Sequence, residues 1–134
     1  MLKAVKKVSK KINNKIKILG VTVLTSFSNT SIKKIGHTKS IKELVKKQVA
    51  LAKLAKLDGI VCSGFEAKYL KKICKNMEII TPGIRLVGDN KGDQKRVMTP
   101  KQAFKNGATS IVIGRSVTKG NIKNNIKKLI KSLN

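Results

Sequence analysis

Apolar residues along this chain alternate between two periods. In residues 1–17, Leu2, Val5, Val8 and Ile12 recur at helical spacing among lysines, which predicts an amphipathic helix. Over residues 17–24 the apolar positions become consecutive and β-branched, predicting a first strand. A short helix over 31–35 follows, then a long one over 41–56. Ser40 and Glu43 open the long helix as a capping box. Residues 59–62 predict a second strand, and Ser63 with Glu66 a second capping box, for a helix running to about Lys75. A third strand over 78–81 ends at Pro82-Gly83. Residues 87–96 are polar and Gly-rich and show neither period. Thr99-Pro100 with Gln102 begins a short helix that Gly107 stops. Residues 110–113 predict a fourth strand, Gly114-Arg115 a turn, and residues 121–133 the last helix.

The four predicted strands are short and apolar on consecutive positions, the pattern of parallel strands covered on both faces. Strict alternation of strand and helix points to α/β architecture. Gly, Thr, Ser and Arg gather just after the strands, at the end where α/β folds place their ligand sites. A closed (β/α)₈ barrel takes about 250 residues, and four βα units in 134 residues amount to half of one. The expected fold is therefore a single domain, residues 1–134: a parallel (β/α) half-barrel preceded by one helix.

Composition narrows the function classes. The longest uncharged apolar run, residues 18–27, is too short to cross a bilayer as a helix. Cys62 and Cys74 match no zinc spacing or disulfide framework, and read as buried thiols in a reducing, cytoplasmic compartment. With no Trp and one His, metal clusters and base-stacking platforms have little to build on; His37 stands alone and is assigned no role. The chain carries 31 Lys plus Arg against 6 Asp plus Glu, a net charge of +25. Such a charge raises the prospect of a nucleic-acid partner. Against it, the lysines spread over nearly every segment and only Arg85, Arg96 and Arg115 are arginines. Solvated lysine-rich helix faces account for the excess more simply. The basic segment 1–17 also looks superficially like an organellar leader, but is rich in Lys and Asn where leaders favour Arg and Ser.

Candidate chemistry lies after the third and fourth strands. Gly114-Arg115 offers a flexible backbone N–H beside a bidentate cation, which suits a phosphate monoester. Gly83 and Arg85 repeat the arrangement after the third strand, and Gln94 lies in a loop long enough to fold over a ligand. The blander alternative pairs both arginines with carboxylates, of which the chain has few.

The segments VTVLTSFS (21–28), DGIVCS (58–63), TPGIRLVGDNKGDQKRVMTP (81–100) and GATSIVIGRSVT (107–118) together resemble orotidine 5′-phosphate decarboxylase, in order and over nearly the whole chain. The resemblance implies the last four βα units of a TIM barrel, an OMP or UMP ligand, a homodimer, neither metal nor organic cofactor, and a step of pyrimidine (UMP) biosynthesis. It implies substrate-binding roles for Thr25, Arg85, Gln94, Gly114 and Arg115, with Ser28 near the pyrimidine amide. It also marks a departure. The family's Asp-x-Lys-x-x-Asp motif, which sets a proton-donating Lys among carboxylates near the departing CO₂, is not in these 134 residues, and no catalytic residue is assigned. Asp89 to Asp93 imitate that motif one residue short and in the wrong loop. The expectation is the phosphate-gripping half of a decarboxylase, catalytically incomplete alone: active where another polypeptide supplies the N-terminal half, or else a decaying or truncated product. A non-catalytic nucleotide-binding remnant and a basic nucleic-acid-associated protein are the alternatives. An open half-barrel should pair with a second copy or with that separate half.

Overall fold

The computed structural model describes residues 1–90 and 92–133. Its elements run α1 (Leu2–Ile12), β1 (Leu19–Val21), α2 (Asn29–Lys34), α3 (Ile41–Leu54), β2 (Gly59–Val61), α4 (Gly64–Leu70), β3 (Glu78–Thr81), α5 (Pro100–Lys105), β4 (Ser110–Ile111), α6 (Arg115–Thr118) and α7 (Ile122–Leu133). The strands form one sheet in the order β1-β2-β3-β4 with every pairing parallel. The register aligns Val21, Val61, Ile80 and Ser110 across the sheet. All four C-terminal strand ends therefore reach the same rim.

One face of the sheet is packed. Ile60 and Ile79 meet Val45 and Val49 of α3 and Leu70 of α4 in a core from which these side chains are almost wholly excluded from water. Each such side chain contributes about 1.5–3 kcal/mol by leaving water. The opposite face is open: Val21 is 62 % and Val112 is 52 % exposed. Two helices share this incompleteness. On α7, Ile122, Ile126, Ile130 and Leu133 lie along one face and all remain exposed.

Capping boxes at Ser28–Ser31, Ser40–Glu43 and Thr99–Gln102 start α2, α3 and α5. The box at Ser28 starts α2 two residues before the expected Ser31. The box expected at Ser63–Glu66 is replaced: Ser63 Oγ accepts from Phe65 N, while the Glu66 carboxylate turns to Arg96. That helix ends at Leu70 rather than Lys75, where the chain breaks into turns. β3 spans 78–81 as expected, whereas β1, β2 and β4 stop short at Val21, Val61 and Ile111, where the residues that follow leave the ladder for the rim; β1 also begins two residues late, at Leu19. Gly114-Arg115, expected as a plain turn, opens the single-turn helix α6.

The first helix forms, but of its apolar stripe Leu2 packs against the core and the rest does not dock. Lys6 and Ser9 are the buried residues of α1, and Val5, Val8 and Ile12 face outward. An ion pair explains the inversion. The Lys6 ammonium reaches Asp58 Oδ2, which also accepts from Ile18 N at 2.6 Å. Asp58 thus pins α1 and the start of β1 to the start of β2. Partial burial opposes ionisation of this carboxyl, but the Lys6 ammonium and the Ile18 N–H outweigh it and hold its pKa below the ordinary value.

Because the folded pKa is depressed, the stabilisation is present above the ordinary carboxylate range and is lost as pH falls through the folded value. Asp58→Asn should lower stability at pH 7 by about 1.5–3 kcal/mol, the loss of hydrogen bonds to a charged acceptor. It should also speed amide exchange throughout α1. Urea unfolding of parent and variant at pH 7 and pH 3 checks this, with the two curves converging at the lower pH.

Candidate functional site

Two clefts open on the rim. The first, about 250 Å³, is lined by Arg85 and Asn90 from the segment after β3 and by Arg115, Ser116 and Lys119 at and beyond α6. The second, about 330 Å³, lies over the ends of β1 and β2, between Thr25, Val61, Cys62, Pro82 and Gln94. Residues 92–94 form the wall between them.

That wall carries a hydrogen-bonded chain. Thr25 Oγ1 donates to Gln94 Oε1. Gln94 Nε2 donates to Asp93 Oδ2 at 3.3 Å, and Asp93 Oδ1 accepts from Arg115 Nη2. The chain crosses from the loop after β1 to the start of α6. Arg115 holds the Asp93 carboxyl below its ordinary pKa, chiefly through that hydrogen bond. Gly92 makes the approach feasible: its φ of +62° suits glycine, and a Cβ there would lie 2.6 Å from Arg115 Nη1.

Thr25, Gln94 and Arg115 thus come together through Asp93, with Gly114 immediately preceding Arg115. Sequence reasoning placed Asp93 only in a false motif, of which Lys91 lies outside the described residues; the other members serve the loop, with Asp89 Oδ2 accepting from Leu86 N at 3.1 Å. Arg85 lines the first cleft but is itself buried, its Nε donating to Asn90 O at 3.3 Å and its Nη1 to Ile84 O at 2.8 Å. Arg115 does pair with a carboxylate, as the blander alternative required, yet both partners stay solvated, at 43 % and 63 % side-chain exposure. A solvated pair of this kind is weak and yields readily to a stronger anion. Ser28 is engaged at the cap of α2, bonded to Ser31, and lines neither cleft.

Two further features went unread. Ser116, in the first cleft, has a buried hydroxyl with no hydrogen-bond partner among the described residues. Arg96 and Glu66 form a largely buried ion pair at 2.6 Å behind the rim of the second. Their separation of 30 residues left no local pattern by which to pair them. Cys62, also at the second cleft, is no nucleophile: burial pushes its thiol up to about 12. Among the described residues no group of three His, Cys, Asp or Glu could hold a metal ion. Nor is any helix among them long and apolar enough to cross a membrane.

Comparison with known proteins bears on the fold and the family. A crystal structure of orotidine 5′-phosphate decarboxylase from Lactobacillus acidophilus matches with a TM-score of 0.69 and 31 % identity, over 88 % of this chain and 49 % of that one. The decarboxylase from Methanocaldococcus jannaschii, complexed with the inhibitor BMP, matches with a TM-score of 0.68 and 24 % identity over 99 % of this chain and 56 % of that one, and bears on the fold alone. The four strands are thus a partial half-barrel of the TIM type. The orotidine 5′-phosphate decarboxylase of Coxiella burnetii (strain RSA 331 / Henzerling II) is 47 % identical over 102 residues, 75 % of this chain and 43 % of the relative. That of Prochlorococcus marinus (strain MIT 9215) is 52 % identical over 104 residues, 76 % of this chain and 43 % of the relative. The chain therefore spans less than half the length of these curated relatives. The sequence profile of one family runs through residues 1–128, and on that match the chain belongs to the Orotidine 5′-phosphate decarboxylase / HUMPS family.

Proposed function

We propose that this chain is the phosphate-gripping half of an orotidine 5′-phosphate decarboxylase site, binding OMP and its product UMP. The observation that carries the reading is the first cleft, where Arg85, Arg115 and the Ser116 hydroxyl, without a hydrogen-bond partner among the described residues, meet at the ends of β3 and β4. Guanidinium groups and a spare hydroxyl suit a phosphate dianion. The phosphate displaces Asp93 from Arg115, and Gly114 lets the backbone approach. The pyrimidine lies toward the second cleft, with Thr25 and Gln94 at its edge.

Decarboxylation breaks the bond from pyrimidine C6 to the carboxylate, releases CO₂ and leaves an electron pair at C6 that must take up a proton. Among the described residues neither cleft offers an ammonium set among carboxylates for that step: Lys119 lines the first, and no described lysine lines the second. This half binds and orients, and the proton donor comes from a further parallel half-barrel seated on the open face. Val21, Val112 and the unpaired outer edges of β1 and β4 fit such a half. The assembly acts in the cytoplasm, in pyrimidine biosynthesis, without a metal or organic cofactor.

Three outcomes test the reading. Calorimetric titration should show UMP binding that Arg115→Ala weakens by about 1.5–3 kcal/mol, the worth of a charge-assisted bidentate contact; an Ala variant that binds as tightly as the parent removes Arg115 from the site. The purified chain alone should release no CO₂ from OMP above background, since phosphate binding without charged groups at the carboxylate does not lower the barrier. Turnover free of host enzyme contradicts the division of labour. Light scattering should find the isolated chain self-associating, more so as salt screens its charge of +25. A cooperatively unfolding monomer at both low and high salt shows that the open face needs no cover.

A further inference from the structure

Behind the clefts, the segment after β3 leaves the sheet and returns along itself. Arg85 N donates to Met98 O at 3.0 Å and Met98 N to Gly83 O at 3.1 Å, closing its two stems. Gly83, at φ +76°, lets the stems touch: a Cβ there would lie 2.9 Å from Arg96 O. The returning stem is then fastened to two other elements through a single residue. Arg96 Nη1 donates to Glu66 Oε1 of α4 at 2.6 Å. Its Nη2 donates to Leu24 O at 3.0 Å and Val23 O at 3.2 Å, and its backbone N to Thr25 O at 3.2 Å.

The pair is a poor source of stability. Glu66 is buried and Arg96 largely so, with side chains 8 % and 14 % exposed. Glu66 Oε2 and Arg96 Nε have no hydrogen-bond partner among the described residues. Burial raises the Glu66 pKa despite the guanidinium beside it. Desolvating two ions costs several kcal/mol each, and a pair left partly unsatisfied recovers that poorly compared with apolar side chains of similar volume. What the pair does supply is direction. It aims three consecutive backbone carbonyls, Val23 to Thr25, at one side chain and its own backbone, two residues from Gln94.

We propose that Arg96 and Glu66 are a positioning pair that sets Thr25 and Gln94 in register across the rim and so holds the segment after β3 over the nucleotide. The effect on ligand rests on the function proposed above; the positioning itself does not. The double variant Glu66→Leu/Arg96→Met tests both, with Arg96→Lys as the conservative comparison. The double variant should keep or exceed the parent's urea midpoint. Its residue-96 amide, no longer held against Thr25 O, should exchange about tenfold faster, and its UMP dissociation constant should rise about tenfold, the scale of coupling within one hydrogen-bond network. Arg96→Lys keeps the charge but not the fork and should fall between the two. A double variant with a lower midpoint overturns the proposal, since the pair is then structural; so does one whose residue-96 exchange matches the parent. If the parent binds no UMP, the function fails and exchange alone decides the positioning. If exchange rises while affinity stays unchanged, the link from this pair to the ligand is refuted.

Discussion

Parallel pairing in register is the constraint on which the rest of this molecule depends. Because each strand runs beside the next in the same direction, every C-terminal end reaches one rim, and every loop that follows a strand is delivered there. Thr25, Arg85 and Arg115 are far apart in sequence and follow β1, β3 and β4 in turn. No side chain needs to travel to assemble the two clefts. The same geometry sets what the half-barrel lacks, since a parallel sheet covered by helices on one side presents its other face and both edges unpartnered.

Much of this was legible in the sequence because its causes are local. The short β-branched runs, the Ser40–Glu43 and Thr99–Gln102 caps and the Gly107 stop each act within a few residues, and each sits where the pattern put it. The misreadings share a different cause. Glu66 lies three residues after Ser63, but a guanidinium 30 positions further on outcompetes the backbone for its carboxylate. Helix α1 has an apolar stripe, yet a lysine on its flank finds Asp58, 52 residues away, and most of the stripe turns outward. In the candidate site the residues beside glycines and strand ends were legible; Ser116, Asp93 and Arg96 were not, because their meaning lies in partners brought by the fold.

The six carboxylates share one trait. Glu43 caps a helix, Asp89 holds its own loop, and Asp58, Glu66, Glu78 and Asp93 each meet a cation across elements or loops. Apart from the buried Lys6, lysines in so rich a chain are largely interchangeable, whereas each acid is a fixed point. Substituting an acid should disturb a particular junction, whereas most exposed lysines tolerate exchange.

Sheet order that repeats chain order has a consequence for how the molecule is made. Each strand pairs with its immediate predecessor in sequence, so no pairing waits for a distant segment and the entropy of closing long loops stays small. Units can dock one at a time as the ribosome releases them, each on a surface already formed. Closing a barrel, by contrast, joins its first and last strands, the one long-range pairing in such a fold. Among the described residues every strand pairing joins chain neighbours, so this sheet can form without waiting for that step.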